Sequence, residues 1–99
     1  MQLRNYEDFV EDCCKPYVDF NYCVVALNGE AGEVAEWHKK ANLRNNEKFT
    51  DVMLLDELGD VLFYLTRTAS IKGWSIFDVM DANVRKLTHR LAETGVVVG

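Results

Sequence analysis

The sequence predicts an all-α fold, an antiparallel four-helix bundle-like module, and three observations predict it. Four stretches carry apolar residues at helical spacing, separated by short polar or glycine-containing breaks. One proline and six glycines in 99 residues leave too little punctuation for a series of short strands and tight turns. No internal repeat, low-complexity stretch or linker divides the chain, so residues 1–99 read as a single domain.

The first helix is expected from about Asn5 to Lys15, with Tyr6, Phe9, Val10, Cys13 and Cys14 on its apolar side. Pro16 stops it, because proline disfavours the helical conformation in the residue before it. The second runs from about Asp19 to Leu43 and leads into the polar stretch 42–48, the best loop candidate. The third runs from about Thr50 to Lys72 and ends at Gly73, a residue suited to a left-handed C-terminal position. The fourth starts at Ser75, with Asp78 three residues on as a variant of the capping box. It ends at Gly95 and leaves a short Val96-Val97-Val98 tail.

Met53, Leu54, Leu55, Leu58, Val61, Leu62, Phe63 and Leu65 cover most directions of the third helix. A helix apolar nearly all round is buried on several sides. In so short a chain that predicts completion of the fold by oligomerisation, since small domains bury a modest share of their surface alone.

Sixteen acids against eleven bases give a formal charge of −5, which argues against a nucleic-acid surface. An acidic chain still binds a polyanionic ligand where a divalent cation intervenes. The three cysteines form no disulfide framework and no zinc spacing, so they read as reduced thiols. The first residues lack the apolar run of a leader, and no apolar run approaches a membrane span. The expected location is cytoplasmic, without membrane partners.

The acids are informative once placed on helical wheels at ~100° per residue. In the second helix Cys23, Ala26, Leu27, Val34, Trp37 and Ala41 fall within roughly 60° of Glu30. Glu30 is therefore in the middle of an apolar stripe, and Glu33 lies one turn along on its edge. In the third helix Met53, Leu54, Val61, Tyr64, Thr68 and Ile71 surround Glu57 in the same way, with Asp60 on the edge. Glu30 and Asp60 are symmetric about position 45, and so are Glu33 and Glu57. That position is Asn45, the centre of the expected loop. A hairpin folded there brings all four carboxylates to one level on facing sides.

Carboxylates clustered in an apolar seam need a counter-charge, because an unpaired buried charge costs several kcal/mol at least. An acid on a helix surface usually pairs with a base four residues on. Here the residues four ahead of Glu30, Glu33, Glu57 and Asp60 are Val34, Trp37, Val61 and Tyr64. Hard oxygen ligands at one place suit Mg²⁺ or Mn²⁺. A diiron site would need a histidine three residues after a glutamate, and none is present.

On the fourth helix Asn83 falls in the stripe formed by Ile76, Val79, Met80 and Leu87, and Lys86 and Arg90 continue its edge. An amide and two cations along one line suit phosphate oxygens. Cations near a helix C-terminus also complement its dipole, as Lys39 and Lys40 do at the end of the second helix. Lys40 can reach ligand phosphates as well. Trp37 and Tyr64 follow the acids by one turn, positions suited to core packing or to stacking on a base. Glu36 lies further round the wheel than Glu33, as an outer group or a surface one. There is no nucleophile elbow, no cysteine with a histidine partner and no glycine-rich phosphate loop.

Three stretches carry a family resemblance: residues 27–33 (L-N-G-E-A-G-E), residues 56–64 (D-E-L-G-D-V-L-F-Y) and residues 83–87 (N-V-R-K-L). At these positions the chain resembles the MazG-like family of all-α nucleoside triphosphate pyrophosphohydrolases, from Asp19 to Arg90. The resemblance implies hydrolysis of a nucleoside triphosphate to the monophosphate and pyrophosphate. It implies that Glu30, Glu33, Glu57 and Asp60 hold Mg²⁺ and that Asn83, Lys86 and Arg90 help bind the nucleotide. It also implies a homodimer or a dimer of dimers. A carboxylate such as Glu33 or Glu36 is expected to orient the attacking water. Two rival readings stand: a same-fold hydrolase for dUTP and dUDP or for phosphoribosyl-ATP, and a helical interaction module without catalysis.

Overall fold

The computed structural model describes residues 1–95. The Val96-Val97-Val98 tail lies outside them. The elements are α1 (Leu3–Cys13), α2 (Phe20–His38), a π-helical turn (Lys39–Leu43), α3 (Asp51–Ile71) and α4 (Ile76–Thr94). The fold class read from the pattern is the one observed, all-α with four α-helices among the described residues.

Local chemistry sets the boundaries. α1 stops at Cys13, two residues short of the expected Lys15. Lys15 is kept out of the helical region by Pro16, and the Pro16 ring would collide with the carbonyl of Asp12, so the last turn cannot close. Asp19 caps α2, its Oδ1 accepting from the Tyr22 N–H at 2.9 Å. Helical structure continues to Leu43 as expected, but its last turn widens to a π-turn, with the Arg44 N–H bonded to the Lys39 carbonyl.

Asn45, the predicted hinge of the hairpin, has φ +53°. Asparagine tolerates this left-handed conformation better than most residues. α3 ends in a Schellman motif: the Gly73 N–H reaches the Ser70 carbonyl and the Trp74 N–H reaches that of Ala69. Gly73 there has φ +81°. Ser75 and Asp78 form the capping box of α4, with reciprocal bonds of 2.9 and 3.2 Å.

α2 and α3 form the principal packed pair, and α1 docks on α3. The fully or nearly buried residues are Val10, Cys23, Thr66, Ala69 and Ile76. Thr66 satisfies its hydroxyl by donating to the Leu62 carbonyl at 2.7 Å. This core is thin. The radius of gyration is 16.2 Å, against about 13 Å for a compact chain of about 100 residues.

Two features account for the open shape. α4 touches α3 sparingly, and its one buried residue, Ile76, is in its first turn. Phe77, Met80, Val84 and Leu91 are each at least half exposed along the rest of it. α3 also keeps an uncovered apolar side, with Val52, Leu55, Leu58 and Leu62 exposed. The expectation of a third helix apolar all round is met, and part of that surface has no cover among the described residues.

Candidate metal centre

The α2–α3 hairpin brings together three of the four acids that the symmetry about Asn45 pairs. One carboxylate oxygen each from Glu30, Glu57 and Asp60 lies within 4.8 Å of the others. Glu30 and Glu57 are half-buried and Asp60 is exposed. Burial first, then the charges of Asp60, Glu57 and Glu33, push the Glu30 carboxyl above its ordinary value. Every charge named there is negative. Among the described residues the ion pairs are Lys40 with Glu36 and His89 with Glu93, so no base answers the cluster.

Three like charges sharing one small volume without a cation are mutually destabilising. The donor set therefore fits a small hard divalent cation, for which carboxylate oxygens are the preferred ligands. Glu33, the fourth expected ligand, is exposed and contributes no oxygen to the group of three. It is near enough for Glu30 to feel its charge. One helical turn separates it from Glu30, which leaves it beside the cluster with a free carboxylate.

Other expected site residues have structural partners. Glu36 is tied to Lys40 at 3.6 Å, and the Lys40 ammonium sits 5.2 Å from the centre of the Phe49 ring. The Trp37 indole N–H donates to the Thr50 carbonyl at 2.8 Å, bracing the loop end of the hairpin. Tyr64 packs against Tyr22 and Phe63 with ring centres 6.2 and 5.2 Å away. Tyr64 is one helical turn beyond Asp60 on α3, and burial, the Tyr22 hydroxyl and the Glu30 charge raise the pKa of its phenol.

Asn83, Lys86 and Arg90 lie on the exposed length of α4. Wheel position had put Asn83 in a core-facing stripe. The stripe exists, but beyond Ile76 the described residues leave most of it exposed, and these three residues are exposed with it. Their placement is a matter of tertiary packing, which no wheel contains.

One residue near the site had no signal in the spacing. Tyr6 of α1 is half-buried, and the Asp60 charge acts on its hydroxyl. Its only trace in the sequence is the pair Tyr6 and Val10, four apart on one helix face.

A family model described as the MazG nucleotide pyrophosphohydrolase domain matches residues 20–94. No curated protein and no solved structure matches the chain. The matched stretch contains all three clustered carboxylates, the whole α2–α3 hairpin that sets their level, and α4. By that match, the chain belongs to the MazG nucleotide pyrophosphohydrolase family.

Proposed function

We propose that this chain hydrolyses (deoxy)nucleoside triphosphates to the monophosphate and pyrophosphate, with Mg²⁺ held by Glu30, Glu57 and Asp60 and with Glu33 at the edge of the site. The observation that carries the reading is the group of three carboxylate oxygens within 4.8 Å and without a basic partner. Mn²⁺ suits the same ligands. A bound divalent cation supplies charge neutralisation of the polyphosphate and a defined position for the α-phosphorus.

The chain's own residues divide the remaining work. Glu33 is exposed, unpaired and one turn from Glu30, which makes it the better candidate for holding and orienting the attacking water. Glu36 is engaged with Lys40 and is the weaker one. Tyr64, one helical turn from Asp60 on α3, offers a ring face for a sugar or base. Trp37 has its N–H committed to the hairpin, which assigns it a structural duty first.

Asn83, Lys86 and Arg90 carry the amide and cations that phosphate oxygens want, yet they lie on the open length of α4. We assign them to the nucleotide through assembly of a homodimer or a dimer of dimers. Support comes from the uncovered apolar sides of α3 and α4 and from the thin core. Glycine inside a helix costs about 1 kcal/mol relative to alanine. Gly29, Gly32 and Gly59 all sit inside helices with open space where a Cβ would point, so the chain itself gives no reason for them. Close approach of a second backbone would.

No described helix is long and apolar enough to cross a membrane. The three cysteines are unpaired, in keeping with a reducing, cytoplasmic setting, and the role that fits the proposed reaction is nucleotide-pool housecleaning. A single module over residues 1–99 is the matching domain reading.

The test is product analysis on a panel of ribo- and deoxyribonucleoside triphosphates, dUDP and phosphoribosyl-ATP, with and without Mg²⁺. Metal-dependent pyrophosphate release from a nucleoside triphosphate, lost in Glu57→Gln, is the expected result. Orthophosphate as the product, or turnover confined to phosphoribosyl-ATP, would replace the reaction proposed. Folded protein silent across the panel would favour an interaction module.

A further inference from the structure

A cleft of about 600 Å³ opens at the start of α2, lined by Tyr17, Asp19, Asn21, Tyr22, Val25 and Ala26. Clefts of this size, apolar and aromatic with a few polar groups, are where small organic ligands bind. The Tyr17 and Tyr22 rings stand 5.9 Å apart and nearly edge to face, at 67°, so they form a corner and leave ring faces free. Both rings are open to solvent, as is Val25 beside them. Asp19 accepts from the Tyr22 N–H with one oxygen, and its other oxygen has no partner among the described residues.

Both helices of the hairpin lead from the carboxylate cluster to this cleft. On α2, Ala26 is one turn and Tyr22 two turns before Glu30, within about 80° of it on the wheel and ~6 and ~12 Å along the axis. On α3, Tyr64 is one turn beyond Asp60. The two helices run in opposite senses, so both steps lead away from the loop at Asn45. They meet there: the Tyr22 and Tyr64 rings are 6.2 Å apart. An aromatic path of Tyr64, Tyr22 and Tyr17 therefore runs from the acids into the cleft. In a nucleotide one sugar separates the base from the α-phosphate, a span of the same order as the step from Glu30 to Tyr22.

We propose that this cleft is the base subsite: the base of the nucleoside triphosphate stacks against Tyr17 and Tyr22 over Val25 and Ala26, and Asp19 selects a base bearing an amino group. A carboxylate oxygen only accepts hydrogen bonds, so it pairs with an amino group and leaves a carbonyl in the same place unpaired. The Asn21 carboxamide, also without a partner among the described residues, offers a donor and an acceptor at the same edge. The inference rests on the reading above that the substrate is a nucleoside triphosphate held at Glu30, Glu57 and Asp60. It adds the part of the site that recognises the base.

The experiment is calorimetric titration, with Mg²⁺, of the α,β-imido analogues of dCTP and dUTP and of inorganic tripolyphosphate. The proteins are the full chain, Tyr17→Ala and Val25→Trp. Both positions are exposed, at 66 and 72%, so melting temperatures should match the parent. Loss of a stacking ring should weaken the dCTP analogue about tenfold, and a tryptophan filling the cleft should weaken it at least as much. Tripolyphosphate has no base and should bind all three proteins alike. The parent should prefer the dCTP analogue to the dUTP analogue about tenfold. Parental affinity for the dCTP analogue in either variant would overturn the proposal. So would a parallel loss for tripolyphosphate, because the effect would then belong to the phosphate end, and so would a preference for the dUTP analogue. A parent that binds no triphosphate removes the proposed reaction and the base subsite together. A parent that binds and hydrolyses, beside two unaffected variants, removes the base subsite alone.

Discussion

The Trp37 indole N–H donates to the Thr50 carbonyl, 13 residues away, at 2.8 Å. That bond closes the α2–α3 hairpin at the end where the π-turn and the loop leave it. It lies beyond the level at which Glu30, Glu57 and Asp60 meet. It also separates two duties for Trp37, as a brace and as a surface for a base.

Replacing Trp37 by phenylalanine keeps an aromatic ring and removes the donor. A single hydrogen bond contributes a net 0.5–1.5 kcal/mol, so the loss should be about 1 kcal/mol. For a domain of this size that lowers the melting temperature by about 4–8 °C. KM for the nucleotide should stay within about twofold, the change expected of a residue outside the binding surface. A large rise in KM with no change in melting would make Trp37 a ligand contact instead.

The hairpin itself is legible in the amino-acid sequence, and the reason is arithmetic. Glu30 with Asp60 and Glu33 with Glu57 share one midpoint, and a helix hairpin converts equal distance from the turn into equal height. What wheel positions do not supply is the depth of each side chain. Glu33 and Asp60 both sit at stripe edges, yet only Asp60 turns an oxygen into the group of three. Asn83 shows the same limit on a larger scale. A stripe predicts that something will cover it, and on α4 the described residues leave most of that stripe exposed. Tyr6 escapes a reading by pattern because the docking of α1 on α3 leaves no periodic mark linking the two segments.

Glu30 gives a pH dependence whose sign follows from its raised pKa. The folded state holds the proton more tightly than the unfolded chain, so this group favours folding when protonated. Its contribution is fully present below the ordinary carboxylate value of 4.5 and is lost as pH rises through the higher folded value. Metal-free Glu30→Gln should therefore melt higher than the parent at pH 7, and the two should converge as pH falls toward 4.5. Saturating Mg²⁺ should reverse the order at pH 7, because it stabilises the ionised parent and has lost a ligand in the variant. Thermal melting across pH, with and without Mg²⁺, reads both effects. A variant less stable than the metal-free parent at pH 7 would mean that Glu30 is not strained by its neighbours.

Divalent metal should stabilise the fold measurably on its own. A ligand that binds only the native state at a hundred times its dissociation constant adds about 2.7 kcal/mol. In a domain of this size that is a rise of ~10 °C or more in melting temperature. Chelation should return the melting temperature to its starting value and stop hydrolysis. Glu57→Gln should show neither the rise nor the activity. A full thermal response in that variant would move the metal away from the hairpin.

Gly73 supplies a control that separates folding from function. Its φ of +81° lies where a side chain is strained, and it closes the Schellman motif that turns α3 toward α4. Gly73→Ala should cost about 1–2 kcal/mol through that strain alone. It is remote in sequence from all three carboxylates, so Mn²⁺ affinity should be unchanged in folded protein. If affinity fell, the α3–α4 turn would have to be coupled to the metal centre.

The uncovered face of α3 gives the last prediction, on assembly. Leu55 and Leu58 are exposed by 68 and 49%, and Gly59 beside them has open space over it. A charged group placed in an apolar contact must be desolvated without a partner, which costs several kcal/mol. Leu55→Glu should therefore convert the expected dimer to a monomer on size exclusion with light scattering. Because Leu55 is already exposed within one chain, the isolated fold should lose less than about 0.5 kcal/mol, as other surface substitutions do. If α4 of one copy completes the site of another, the monomeric variant keeps most of its Mn²⁺ affinity and loses nucleotide turnover. The carboxylates are all on one hairpin, whereas Asn83, Lys86 and Arg90 then have nothing to bring them near it. A monomer that hydrolyses nucleotide at the parental rate would show that α4 folds back within its own chain, and would remove assembly from the mechanism.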